Sequence, residues 1–278
     1  MRSGGAARTT SSATEAPSPS HSGTLNVVEA CKRLRVPKIV MSSSPSTRFD
    51  GTDICGKAAD ELPIRPPGQF LQAYAETKAQ GELALRAANN GESLLTVAVA
   101  PHQVYGPRDM LFLHNILQAG NRVRIFGTGA NLCSFCHVDN YCHGLILAEA
   151  ALQPGAACLG GFYIVTDGPP QNFWRMVDVA LQAVGCRSVF AKARLPRWFI
   201  LPLSYLVLGI GRLLGRKLQL TPFSVRMLMI NRYFDITASA RDLGYEPIIP
   251  FEKGWPDTVE WFATVWAPVY GPNRRKKN

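Results

Sequence analysis

Apolar positions along the chain switch repeatedly between a three-to-four-residue spacing and short unbroken runs. Leu25, Val28, Cys31 and Leu34 fall at helical intervals behind Thr24, a good N-cap, with Glu29 early and Lys32, Arg33 and Arg35 late. The spacing and the charge placement predict a helix from 24 to about 35. Pro37 ends it, and residues 38–41, Lys-Ile-Val-Met, read as a short buried strand opening into Ser42, Ser43, Ser44, Pro45 and Ser46. A helix over 70–89 precedes a second apolar strand over 94–100, stopped at Pro101, and 162–165 reads as a further strand. Helices near 172–184, 222–230 and 252–265 make the C-terminal part mainly helical. Helices alternating with buried strands imply an α/β fold, with a parallel sheet covered on both faces.

One apolar run stands apart. Within residues 195–214, the fourteen from Trp198 to Gly211 carry no charge and are bounded by Arg197 and Arg212. A membrane-crossing helix needs about 20 apolar residues. The run therefore reads as an interfacial anchor with snorkelling arginines; a buried core helix and a true span are the competing readings. Charge changes the picture in the same direction. The chain carries a net charge of +10, with eight Lys or Arg and no acid between Arg187 and Arg226, and Arg274, Arg275, Lys276 and Lys277 near its end. Basic residues around an apolar segment suit an anionic lipid surface. Nucleic acid is not an expected partner, since the basic residues are not interleaved with aromatics and no binding motif is present.

Composition adds limits. A hydrophobic share of 46% over 278 residues is that of a core-forming chain. Seven cysteines, an odd number without a pairing pattern, argue for a reducing compartment. Residues 1–22 are largely Ser, Thr, Ala, Gly and Pro with Glu15 as their one acid, and read as a disordered lead-in; a transit peptide is a minor alternative. Cys133, Cys136 and His137 have the C-x-x-C-H spacing of haem attachment, yet small core cysteines are the preferred reading and no metal is expected. The glycines at 209, 211 and 215 follow no strand and are rejected as a phosphate loop.

The most specific pattern is Tyr74-Ala75-Glu76-Thr77-Lys78. Four residues apart on a helix, the phenol and the ammonium share a face, and the cation favours phenolate in a group that ordinarily titrates near pH 10. Such a phenolate can take the proton of a secondary alcohol while hydride leaves the same carbon. Ser44 lies thirty residues upstream, just past a buried strand, where its hydroxyl can donate to the substrate oxygen.

This arrangement resembles an extended short-chain dehydrogenase/reductase of the 3β-hydroxysteroid dehydrogenase branch, in phrasing closest to sterol-4α-carboxylate 3-dehydrogenases of the decarboxylating type. Residues 23–31 are similar to the family's helix before the serine strand, 42–51 to its serine loop, 101–109 to the loop after the next strand, and 242–247 to its late Leu-Gly-Tyr-x-Pro turn. The likeness runs from about 23 to about 266. It implies a partial Rossmann-type parallel sheet in 23–170 and a smaller, mainly helical substrate domain in 171–278 that carries the 195–214 segment and the basic tail 274–277.

Carried over residue by residue, the resemblance makes Tyr74 the acid/base. Lys78 would tune it and bond the nicotinamide ribose, and Ser44 would orient the substrate hydroxyl, with Ser43 and Ser46 left open as neighbours. Pro101, His102 and Val104 would line the nicotinamide end, a loop hydrogen bond being the other reading of His102. The implied cofactor is NAD or NADP, and the implied substrate a steroid or sterol oxidised at its 3β-hydroxyl, any 4-carboxylate then leaving as carbon dioxide from the β-keto acid. The resemblance also implies an endoplasmic reticulum membrane, with the catalytic part facing the cytosol, and allows a homodimer. The family's Gly-rich βαβ turn has no counterpart here, so the chain is expected to lack the N-terminal nucleotide-binding half. The competing expectation is a truncated, non-catalytic fragment that binds a membrane or a partner without cofactor; a sugar-nucleotide epimerase of the same superfamily is a third.

Overall fold

Alternating faces of one central strand organise the molecule. The computed structural model describes residues 19–271 except 217 and 219. In chain order, α1 (Pro19–Leu34) leads to β1 (Lys38–Ser42), a single 3-10 turn (Pro45–Arg48), β2 (Ile54–Lys57), α2 (Ala73–Ala88) and β3 (Leu95–Pro101). Next come β4 (Val104–Tyr105), α3 (Leu113–Ala119), β5 (Leu132–Cys133), β6 (Cys136–His137), α4 (Val138–Ala151) and β7 (Phe162–Val165). The chain continues through β8 (Gln171–Asn172), α5 (Phe173–Ala183), α6 (Arg197–Leu213), α7 (Pro222–Met227), β9 (Arg232–Phe234), α8 (Thr237–Leu243), α9 (Phe251–Trp261) and α10 (Ala267–Tyr270).

β1, β3 and β7 form a parallel sheet in that order, Lys38 opposite Leu95 and Ala98 opposite Phe162. The apolar run of β3 hides a period of two. Leu95, Val97 and Val99 pack with Ala148 and Leu152 of α4 and with Leu243 and Tyr245. Ala98 and Ala100 face the other way, toward Phe49, Ile54, Ile164 and Phe234. Cover on both faces explains why every position of this strand can be apolar. Val28 of α1 and Leu85 of α2 close a further small cluster with Leu94. A methyl group at Gly81 would lie 2.8 Å from Thr24 Oγ1, so this glycine sets how closely α1 and α2 approach. A second sheet, ordered β2-β9-β5-β8, brings the late strand β9 beside the early strand β2.

Three expectations are corrected. The lead-in was placed at 1–22, but the helix begins at Pro19, since proline is tolerated in a first helical turn whose N–H would have no partner; residues 1–18 lie outside the described residues, as does the basic tail 274–277. The division at residue 170 does not follow the packing. β3 ends at Pro101 and the chain leaves the sheet through Gln103, at a φ of 40°. It then packs Tyr105, Leu113, Leu117 and Phe135 with Phe173, Trp174, Phe251, Trp255 and Trp266. The 195–214 run forms α6, which buries only Ile200, Ser204 and Gly211. Trp198 and Leu213 are 77% and 86% exposed, and Leu206 and Ile210 are exposed as well, so the core-helix reading fails. No helix among the described residues is long and apolar enough to cross a membrane.

Between the sheet and α2 lies a buried ion pair. Arg48 grips Glu82 through two contacts, Nη2 to Oε1 at 2.6 Å and Nη1 to Oε2 at 3.0 Å, with both side chains almost wholly excluded from solvent. Ser43 Oγ donates to Glu82 Oε2 at 3.1 Å, and the guanidinium lies 3.3 Å from the centre of the Phe162 ring. Removing one partner leaves a buried charge alone, which costs about 3 to 5 kcal/mol. Glu82→Leu should therefore lower the unfolding free energy in urea by about 3 kcal/mol or more, and the double variant Arg48→Met, Glu82→Leu should recover much of the loss. Two single losses that simply add would show that the residues are not coupled.

Candidate active site

The serine loop gives each of its hydroxyls a different task. β1 ends at Ser42, and Ser43 N–H continues the sheet by donating to Val99 O at 2.8 Å. Strand alternation then points successive side chains apart. Ser42 Oγ accepts from the Tyr141 hydroxyl of α4 at 2.6 Å, and its carbonyl accepts from Lys78 Nζ at 2.8 Å. Ser43 is committed to Glu82. Ser44, in extended backbone, caps the 3-10 turn and lines a cavity of about 270 Å³. Its Oγ accepts from Ser46 N–H at 3.3 Å and from Ser46 Oγ at 2.9 Å, which leaves its own proton to donate into the cavity. Of the three serines left open by sequence, Ser43 is committed to Glu82, Ser46 is committed to Ser44, and Ser44 keeps an uncommitted proton.

α2 presents Tyr74 and Lys78 one turn apart beside this loop. Tyr74 is 54% exposed, at the solvent edge, while its neighbours Gln72 and Ala75 line the cavity. Lys78 has one acceptor, the Ser42 carbonyl, which leaves two of its three N–H donors for a ligand. Pro101 and His102, at the C-terminal end of β3, line the same cavity with Gln103. Val104 does not: it faces a separate cleft formed by residues 103–112 and Val138. In open parallel sheets ligands bind beyond the carboxyl ends of the strands, and Ser44, Lys78, Pro101 and His102 gather there. These residues fit the ribose and nicotinamide end of a dinucleotide.

The opposite part of the cavity comes from elements far along the chain. Phe223 and Met227 of α7 and Arg232 and Phe234 of β9 join Phe49, Ile54 and Leu71 to make it predominantly apolar. His102 is buried, with Nδ1 2.8 Å from Ser134 O and Nε2 3.2 Å from Arg232 Nη1. A carbonyl can only accept, so Nδ1 carries the proton and Nε2 accepts from the guanidinium. Burial, and then the Arg232 charge, lower the imidazole pKa to about 3. Cys133 and Cys136 are buried, and burial pushes both thiols up, Cys133 to about 11. Among the described residues no group of three or more His, Cys, Asp or Glu side chains could hold a metal ion. Arg232 and Tyr141 were missed by sequence reasoning, because nothing local marks a residue brought in from a distant element.

Residues 12–197 match the 3-beta hydroxysteroid dehydrogenase/isomerase family. The chain belongs to this family. It is 34% identical over 256 residues to 3beta-hydroxysteroid-dehydrogenase/decarboxylase isoform 1 of Arabidopsis thaliana, covering 88% of this chain and 57% of the relative. It is 30% identical over 250 residues to sterol-4-alpha-carboxylate 3-dehydrogenase, decarboxylating, of Homo sapiens, covering 86% and 65%. The chain thus spans between about half and two thirds of the length of these curated relatives. Its fold is also that of the dTDP-glucose 4,6-dehydratase DesIV of Streptomyces venezuelae, solved with NAD and DAU bound, at a TM-score of 0.60 and 21% identity, covering 87% of this chain and 65% of that one.

The His102 contacts set a pH dependence. Its folded pKa lies below the unfolded value of 6.5, so between pH 6.5 and about 3 the unfolded chain binds a proton that the folded chain refuses. Stability from this source is complete above pH 6.5 and falls as the pH drops, by up to about 1.4 kcal/mol per unit. His102→Gln should flatten the urea midpoint against pH across that window; an unchanged slope would show that the imidazole is not buried neutral.

Proposed function

We propose that this chain carries the catalytic and substrate-binding parts of an NAD(P)-dependent dehydrogenase that oxidises the 3β-hydroxyl of a steroid or sterol, including 4-carboxysterols that then lose carbon dioxide. The observation that carries this reading is a single apolar cavity that holds the unspent Ser44 hydroxyl beside the Tyr74–Lys78 helix. Family membership and the names of the sterol relatives support it. NAD or NADP, when bound, supplies the hydride acceptor. Ser44 donates to the substrate oxygen and fixes the reacting carbon. Tyr74 takes the hydroxyl proton, and Lys78, anchored on the Ser42 carbonyl, stands one helical turn away with donors left for the ligand. The apolar walls from Phe49, Ile54, Phe223, Met227 and Phe234 exclude water and accept a hydrocarbon skeleton. The non-catalytic alternative finds no support in the relatives named above.

The reading includes a membrane surface, that of the endoplasmic reticulum, with the cavity on the cytosolic side. α6 supports it with exposed Trp198, Phe199, Leu206, Ile210 and Leu213 between Arg197 and Arg212. Tyr205 of α6, held by Arg226 Nη2 at 3.2 Å, lines a cleft of about 150 Å³ that shares Phe49, Leu71 and Phe223 with the main cavity. An apolar substrate arriving along α6 would meet the cavity wall directly.

Two measurements test these statements. Tyr74→Phe should lower steroid turnover at least about 100-fold while calorimetry shows unchanged NAD or NADP binding, and Lys78→Ala should weaken both. Turnover that survives in Tyr74→Phe would overturn the assignment of the base. Leu206→Glu with Leu213→Glu should abolish flotation with anionic vesicles and leave the thermal midpoint unchanged; continued flotation would remove α6 from the membrane-binding role.

A further inference from the structure

Arg232 is the one charged side chain in the wall of the main cavity, and nothing neutralises it. No Asp or Glu lines that cavity, and none of the ion pairs among the described residues involves Arg232. Its hydrogen bonds do not use it up either. One Nη1–H reaches His102 Nε2 at 3.2 Å and one Nη2–H reaches the Met227 carbonyl at 3.5 Å, while the buried Nε has no partner. A guanidinium has five N–H donors, so three remain. A half-buried cation among Phe223, Met227 and Phe234 with one unspent donor on each Nη, a buried Nε without a partner and no counter-charge is costly to keep unless a ligand completes it. The fork of N–H groups matches a carboxylate in geometry as well as in charge.

From this we infer that Arg232 binds a carboxylate of the substrate, and that the cavity selects 3-hydroxy acids over neutral alcohols of the same skeleton. The inference rests on the dehydrogenase reading and deepens it. Ser44 and Arg232 stand in the wall of one cavity of about 270 Å³, so a hydroxyl and a carboxylate on adjacent carbons can be held together, the first by a neutral donor and the second by a cation. His102 is a positioning residue. With its proton on Nδ1, toward the Ser134 carbonyl, its Nε2 accepts from Arg232 and turns the guanidinium without consuming more than one donor. An acid at that position would neutralise the cation and defeat the selection; a neutral imidazole holds it and leaves the charge available.

The test compares four ligands by calorimetry with the intact chain: a 3β-hydroxysterol-4-carboxylic acid, its primary amide, a long-chain aliphatic 3-hydroxy acid and the amide of that acid. Each acid should bind at least tenfold tighter than its amide. Arg232→Met should bring the two within about threefold, Arg232→Lys should restore part of the preference, and His102→Leu should lower it where His102→Gln preserves it. The wild-type ratio needs no variant, so a poorly folded Arg232→Met does not block the test. Equal binding of acid and amide on both skeletons overturns the inference, as does a preference that survives Arg232→Met, or no binding of either acid at millimolar concentration. A preference on the aliphatic skeleton alone supports the role of Arg232 and removes the steroid from the proposed function. Tight and equal binding of the sterol acid and its amide, with no preference on the aliphatic skeleton either, leaves the steroid reading standing and removes Arg232.

Discussion

The ion pair between Arg48 and Glu82 is the constraint on which the site depends. It joins the serine loop to the middle of α2 by a bidentate contact that neither the apolar packing nor the single Lys78 bond to the Ser42 carbonyl supplies. Apolar contacts tolerate sliding, whereas a bidentate pair excluded from water does not: each charge is costly to bury without the other, and the fork geometry admits one arrangement. Ser43 adds a third bond to the same carboxylate. The positions of Ser44, Tyr74 and Lys78 relative to one another follow from this clamp, although none of the three touches it.

Around the clamp the polar groups are divided with little overlap. Ser42 serves Lys78 through its carbonyl and Tyr141 through its hydroxyl, which ties α2 and α4 to the end of β1. Ser46 spends both its N–H and its hydroxyl on Ser44. The result is a loop in which the group aimed at the cavity is the one with a proton to give. The far wall follows a different logic, a cation oriented by a neutral imidazole in predominantly apolar surroundings.

Much of the fold was legible in sequence because its signals are local. The 3.6-residue spacing behind Thr24, the stop at Pro37 and the apolar runs at 38–41, 94–100 and 162–165 mark elements that form where expected. Of the candidate site residues drawn from short, ordered motifs, Ser44, Pro101 and His102 line one cavity, and Tyr74 and Lys78 stand on the helix beside it. What sequence did not show are pairs separated by long stretches of chain. Nothing local marks Glu82, a charged position on α2 that is fully buried. Nor does anything local mark Arg232, which stands in the cavity wall beside His102. The boundary at 170 went astray for the same reason: the loop after β3 packs against helices that come seventy residues and more later, and no periodicity records that.

The separation of the two walls along the chain has a kinetic consequence. Arg48 and Glu82 are 34 residues apart, whereas His102 and Arg232 are separated by 130. Closing the longer loop carries the larger entropic penalty and depends on β2 and β5 already being in place to receive β9. The serine loop and α2 can therefore dock while β9 is still free, with the Ser, Tyr and Lys in register before the pocket is finished. A chain that stalls late would hold the serine loop clamped to α2 while the wall that carries Arg232 is still open.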